Sequence, residues 1–248
     1  MRDLHAHTTF CDGKNTPEEM VLAAIEKGLT TFGLVIHSFA PFDTEVNPKQ
    51  ENVWAFQREM QTLKEKFRGK INLLCGIEQD VETPDQTKGF DYVIAGVHYL
   101  KVGGTYYPVD HTAAKVRQAI KEGFHGDPLA FAEAYFSRLS DSVIETGADV
   151  LAHPDLLLKF NEVDPIFDTS HPRYQKAMLS AVEKLLKTGV SFEVNVGAIT
   201  RGYRTTPYPE PQMLNYLKKM GAPLVLGSDA HSINGIANGF SQWEELLK

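Results

Sequence analysis

The chain has 248 residues, 42% of them hydrophobic and 10% aromatic, enough to bury a full core in one large domain spanning residues 1–248. Its formal net charge of −7 argues against a nucleic-acid backbone as the main partner, because such binders carry a basic stripe; an anionic small substrate is compatible where metal or basic residues make a pocket locally positive. Two cysteines, Cys11 and Cys75, are too few for a disulfide framework, and no apolar run reaches the roughly 18 residues of a membrane span, so the expectation is a cytoplasmic protein with no membrane partner.

After "MRDLHAHTTFCDG", the stretch "TPEEMVLAAIEKG" reads as a helix: Thr16 caps it, Pro17 suits the first turn, Glu19 completes a capping box and Gly28 closes it. "TTFGLVIH" reads as a strand ending at His37, "ENVWAFQREMQTLKEKFRG" as a helix, and "INLLCGIE" as a strand ending at Glu78. "FDYVIAGVH" is a strand ending at His98, "DPLAFAEAYFSRLSDSVIETG" a long helix, and "ADVLAH" a short strand ending at His153. "YQKAMLSAVEKLLKTG", "VSFEVNV", "EPQMLNYLKKMG" and "APLVLGSDAH" continue the alternation into Asp229 and His231, and "FSQWEELLK" reads as a last helix. About seven βα units joined by right-handed crossovers predict a closed α/β barrel, and barrel enzymes work at the C-terminal ends of their strands.

Those ends are unusually rich in one chemistry. Six of the nine histidines (His5, His7, His37, His98, His153 and His231) lie at or just past predicted strand ends, with Glu78 and Asp229 beside them and Asp12 in the first loop. Any one of them alone reads as a structural histidine or a turn carboxylate. Together they put nine ligand-type residues on one barrel face. Imidazole with carboxylate suits zinc, manganese or iron, and nine ligands exceed what one tetrahedral ion needs. Two or three metals are expected, with a carboxylate such as Glu78 bridging. Cys11 and Cys75 lack thiolate-site spacing and are assigned to packing, and His111, His125 and His171 are left outside the site.

The motifs "DLHAHT", "VIHS", "GIEQD", "GVHYL", "LAHPD" and "GSDAH" resemble, in order, those of the PHP (polymerase and histidinol phosphatase) superfamily, from His5 to His231. The resemblance implies a distorted seven-stranded (β/α)7 TIM-like barrel with a trinuclear site. One metal would take His5, His7, Glu78 and Asp229; a second Glu78, His98 and His153; a third Asp12, His37 and His231. Many relatives carry His where Asp12 stands. The length and the segments "GIEQDVE" and "HPDLLLKF" resemble the histidinol-phosphate phosphatases, with Lys159 six residues after a ligand histidine. "FEVNVGAITRGYR" departs from the usual Asn-Thr-Ser-Gly-Leu-Arg, which leaves Arg201 and Arg204 as alternatives for the family arginine.

The expected activity is therefore hydrolysis of a small phosphate monoester, histidinol phosphate, by a metal-bridging hydroxide, with barrier reduction on the order of 20 kcal/mol. Asp229, His231 and Arg201 are the catalytic candidates, His231 as one candidate donor of the leaving-group proton. Arg201, Lys159 and Arg204 are the phosphate-binding candidates, and Asp43, Asp110 and Phe39 candidates for receiving the amine and imidazole. Rival readings are a nucleotide or oligonucleotide phosphoesterase, a protein-tyrosine phosphatase, a non-catalytic metal-binding PHP domain, and an amidohydrolase. The acidic charge disfavours the first, nine competent ligands the third, and Glu78 in place of a lysine the last.

Overall fold

Seven parallel strands form one sheet in the computed structural model, which describes residues 1–43 and 47–247. The strands in chain order are β1 (Arg2–Asp3), β2 (Thr31–His37), β3 (Asn72–Asp80), β4 (Tyr92–Gly96), β5 (Tyr99–Val102), β6 (Thr105–Pro108), β7 (Val150–Leu151), β8 (Ser191–Asn195) and β9 (Leu224–Gly227). The sheet runs β1-β2-β3-β4-β7-β8-β9, and β5 pairs with β6 in a separate antiparallel hairpin. A parallel bridge between Ala6 and Ala230, with His7 N donating to Ala230 O at 2.8 Å, brings the two edges together into a nearly closed barrel. The helices are α1 (Pro17–Glu26), α2 (Gln50–Lys66), α3 (Ala113–Gly123), α4 (Pro128–Thr146), α5 (Pro172–Leu185), α6 (Gly197–Thr200), α7 (Pro211–Lys219) and α8 (Phe240–Trp243). None of the described helices is long and apolar enough to cross a membrane.

Local chemistry explains the predicted elements. Thr16 and Glu19 make the reciprocal capping box on α1, Asp127 caps α4 through the Leu129 and Ala130 amides, and Gly147 ends α4 in the left-handed region. The strand "ADVLAH" pairs over two residues only, and "FSQWEELLK" is one α-helical turn followed by a 3-10 turn, Glu244–Leu247; Lys248 lies outside the described residues. The β5–β6 hairpin, α3, α6 and a 3-10 turn at Leu156–Leu158 extend the predicted alternation.

Period-2 alternation positions the site. On β2, Phe32, Leu34 and Ile36 pack outward with α1 and α2 side chains such as Met20, Phe56 and Met60, while Val35 joins Leu4, Leu74, Tyr92, Ile94, Val150 and Val225 inside the barrel. Gly33 and Gly76 leave room for Tyr92: a Cβ at either would run into its ring or hydroxyl, which donates to Leu4 O at 2.6 Å. The same inner faces continue upward to His37 and Glu78, which are register partners across β2 and β3. An apolar plug thus fills the barrel, and the polar side chains lie on top of it.

Candidate metal centre

Each candidate ligand is delivered by the top of a strand or the chain just past it. His5 and His7 follow β1, His37 closes β2, Glu78 sits in β3, His98 follows β4, His153 follows β7, and Asp229 and His231 follow β9. Their donor atoms fall into four overlapping groups, within each of which the atoms lie within 4.8 Å of one another. His5 groups with His7 and Asp229; His5 with Glu78 and His153; His37 with Glu78 and His98; and His7 with Asp12, His37 and His231. All nine candidates are in these groups. The grouping differs in detail from the motif-based sets, because His7 also joins the Asp12 group and Glu78 reaches His153 and His98 through different neighbours.

The distances are those of polar groups aimed at common points. His5 Nε2 is 3.1 Å from His7 Nε2 and 3.3 Å from Glu78 Oε2; the other Glu78 oxygen is 2.8 Å from His153 Nε2 and 3.3 Å from His98 Nε2. Asp12 Oδ2 is 2.9 Å from His231 Nε2, and Asp12 Oδ1 is 3.6 Å from His37 Nε2. Burial opposes ionisation of Glu78, yet His5, His37 and His98 hold its carboxyl well below the usual range. Asp229 is likewise held low against burial, by Arg201 first and then His5. His7 goes the other way, depressed by burial and by His37 and His231. The donor set fits divalent cations. Two buried imidazole nitrogens 3.1 Å apart can share at most one proton, and His153 Nδ1 is buried with no hydrogen-bond partner among the described residues.

Two carboxylates missed by the strand-end reading orient these rings. Glu193, in the interior of β8 and 1% exposed, sets Oε1 2.7 Å from His5 Nδ1, while its Oε2 accepts from His153 N at 3.1 Å and Asn195 Nδ2 at 2.8 Å. A carboxylate only accepts, so His5 donates from Nδ1 and turns the Nε2 lone pair into the cluster. Gly227 makes room for it, since a Cβ there would collide with Glu193 Oε1. Asp80 accepts from His98 N at 2.6 Å and lies 3.5 Å from His98 Nδ1. The available signal was an acidic residue inside the otherwise apolar "VSFEVNV".

A cavity opens over the cluster, lined also by Tyr99, Asp110, His111, Lys159, Arg201 and Tyr203. His111 therefore belongs to its wall, contrary to the sequence expectation. Arg201 donates to Asp229 Oδ2 and Asp229 O, both at 2.8 Å, and its Nη1 lies 3.0 Å from His231 Nδ1. Lys159 is engaged by Asp110 O at 2.9 Å and Oδ2 at 3.0 Å, and sits over the rings of Tyr203 and Phe160. Arg204, a phosphate-binding candidate, is not in this wall: its buried guanidinium donates to Leu158 O at 3.1 Å and stacks on Tyr208. It is taken up by packing, between Leu158 O and the ring of Tyr208. Phe39 lies outside the cavity as well, bonded through its backbone to Gln86. Cys11 packs beside His7 with its thiol pushed up to about 12 by burial and Asp12, and both cysteines are unpaired.

The PHP domain model matches residues 3–197, from the first strand to the start of α6. The chain belongs to the PHP domain family. Within that PHP frame, it is 26% identical over 268 residues to the histidinol-phosphatase of Bacillus subtilis, covering 98% of each protein. Its fold superposes on a Listeria monocytogenes structure carrying the histidinol phosphatase name with a TM-score of 0.84 at 21% identity, covering 98% of this chain and 100% of that one. The Lactococcus lactis histidinol phosphate phosphatase, solved with zinc, L-histidinol and phosphate, superposes with a TM-score of 0.73 at 18% identity, covering 99% of this chain and 93% of that one.

Proposed function

We propose that this PHP protein is a metal-dependent phosphatase that hydrolyses L-histidinol phosphate to histidinol and inorganic phosphate in the cytoplasm. The observation carrying this reading is the cavity over the cluster of nine donor side chains, seven of which line it together with Arg201 and Lys159, a site of cation ligands walled by anion-binding groups. The full-length relatives named as histidinol phosphatases support the choice of substrate. The proposed ligands are His5, His7, Asp12, His37, Glu78, His98, His153, Asp229 and His231, holding two to three zinc, iron or manganese ions. Divalent cations held by these side chains would supply positive charge against the phosphoryl oxygens and lower the pKa of a water that attacks phosphorus.

The residues of the chain do the rest. Glu193 and Asp80 hold His5 and His98 at fixed ring angles before substrate arrives. The Arg201 fork, 28% exposed and already facing Asp229, is placed to add a planar pair of donors to phosphoryl oxygens. When the P–O bond breaks, the departing alkoxide needs a proton, and the candidate donors are His231, in a state where it is not a ligand, and a water held at the site. His231 Nδ1 lies 2.9 Å from Asp229 O and 3.0 Å from Arg201, partners that require it to donate and to accept respectively. The first arrangement leaves a lone pair on Nε2. Phosphate release by metal-loaded protein from histidinol phosphate, nucleoside monophosphates and phosphotyrosine tests the reading. The expectation is a much higher kcat/KM for histidinol phosphate; a tenfold preference for a nucleotide or for phosphotyrosine overturns the substrate assignment.

A further inference from the structure

The chain between β4 and α4 departs from the barrel repeat and builds a second cavity. The β5–β6 hairpin, α3 and the loop carrying Phe42 and Asp43 enclose it, with Tyr106, Tyr107 and Glu122 in its wall. Tyr99 and His111 line both this cavity and the one over the metal cluster, so the two adjoin across these side chains and differ in chemistry. The inner end has cation ligands with Lys159 and Arg201; the outer end has aromatic rings, the carboxylates of Asp43 and Glu122, and Lys115.

The junction between them is a small polar network. Tyr99 Oη donates to Asp43 Oδ2 at 2.8 Å and accepts from Asn47 Nδ2 at 2.8 Å, while His111 Nε2 is 3.3 Å from Tyr99 Oη and 3.9 Å from Asp43 Oδ2. Phe42 stacks flat on Tyr106 with centroids 3.7 Å apart and meets Tyr99 edge-on at 5.0 Å, which makes a stiff aromatic wall. The two carboxylates near this junction differ. Asp110 has its charge answered by Lys159, whereas the side-chain partners shown for Asp43 among the described residues are a phenol and an imidazole. Burial lowers His111 below the ordinary imidazole value, so that partner is neutral near pH 7. A half-buried carboxylate whose direct side-chain partners are a phenol and an imidazole, set among aromatic walls, suits a flat N–H-bearing or cationic ring.

We propose that the outer cavity is the specificity site for the non-phosphorylated end of the substrate, with Asp43 accepting an N–H of its nitrogen heterocycle and Tyr99 and His111 fixing the carboxylate. This rests on the phosphatase reading above and adds which residues select the alcohol. The phosphoryl end stays over the metal cluster, and the aliphatic link passes beside Tyr99 and His111, which both cavities share.

The test compares L-histidinol phosphate with O-phosphoethanolamine, which keeps phosphate and amine but lacks the ring, using metal-loaded wild type, Asp43→Asn and Tyr99→Phe. Both variants are near-isosteric, and metal content with thermal melting establishes that they are folded; His111→Gln serves if either is not. The expected result is a rise in KM for histidinol phosphate of about 10-fold, a loss typical of one charge-assisted hydrogen bond, with a matching collapse of the selectivity ratio between the two substrates. Inhibition by L-histidinol weakens by the same factor. A ratio unchanged in the folded variants, or equal losses on both substrates, overturns the specificity site while leaving the phosphatase reading intact. Wild type that turns over neither substrate overturns that reading, and the proposal falls with it.

Discussion

Replacing Glu193 by Gln changes one atom, yet the hydrogen bonds around it predict a large effect on metal binding. Three donors converge on this carboxylate: His5 Nδ1 on one oxygen, His153 N and Asn195 Nδ2 on the other. An amide offers one acceptor oxygen and one NH2. If the NH2 faces His5, the imidazole has to accept at Nδ1 and carry its proton on Nε2, which points at His7 Nε2 and Glu78 Oε2 where a cation is proposed to sit. If it faces the other way, it confronts two N–H donors in a site 1% exposed. Glu193 is buried, so neither clash is relieved by water.

Losing a charge-assisted hydrogen bond in such a place costs about 1.5–3 kcal/mol. Loss of an orienting partner of a metal ligand typically weakens metal affinity or activity about 10–100-fold, or roughly 1.4–2.7 kcal/mol, so the two estimates agree in scale. The assay is competitive chelator titration of metal from wild type and Glu193→Gln, with kcat/KM at saturating metal and circular dichroism as a check on the fold. The expected outcome is affinity down by about 10–100-fold, with part of the rate restored by excess metal. A folded Glu193→Gln protein with wild-type metal affinity and rate refutes the orienting role.

Glu78→Gln should remove most of the bound metal, read by elemental analysis, because a neutral amide bridges cations poorly; full occupancy would end the bridging proposal. Arg201→Ala should lower kcat/KM by about 10²–10³, the usual loss for one donor to a developing anion, whereas Arg204→Ala should lower Tm through about 2–3 kcal/mol of lost buried contacts with Leu158 O and Tyr208. The opposite pattern would return the phosphate to Arg204. Glu210 is pushed up to about 7 by burial and by Asp155, so the folded state holds its proton more tightly than the unfolded chain does. Its contribution to stability is therefore full below the ordinary glutamate range and lost as pH rises through 7; Glu210→Gln should raise Tm at pH 8 and match wild type at pH 4, and equal Tm differences at both values would refute the shift.

Much of the barrel was readable because its strands carry an outward apolar face and its helices carry caps. "TFGLVIH" and "NLLCGIE" show both faces of β2 and β3, and the family motifs mark where each strand ends. The β5–β6 hairpin also carried a signal, Gly103-Gly104 with both residues at positive φ, but a pattern of alternating strand and helix hides a local antiparallel pair. The eight strand-end residues were legible because each lies at or just past a predicted strand end, and Asp12 through the motif pattern of the first loop. Glu193 was not, since it lies within an apolar run, and neither was the fate of Arg204, which is taken up by packing between Leu158 O and the ring of Tyr208. Such choices are made by packing between segments distant in sequence.

The ligands themselves divide by the same logic. His37, Glu78 and His98 follow the inward register of β2, β3 and β4, continuing the rows of Val35, Leu74 and Ile94. His153 does not. On β7, Val150 and Ala152 face the interior and Leu151 faces the helices, so alternation alone would turn residue 153 outward. Its φ of 27° breaks the alternation and lets Nε2 reach Glu78, and Asp229 likewise sits at φ 47° just past β9. Non-glycine residues in this region cost on the order of 1–3 kcal/mol and persist only where neighbours over-determine them. Here the neighbours are visible: Glu193 accepts the strained His153 amide, and Arg201 holds both the carboxylate and the carbonyl of Asp229. The two residues that fix the strained backbone thus also contact the rings and carboxylates proposed to hold metal, so backbone strain and ligand orientation are maintained by one set of hydrogen bonds.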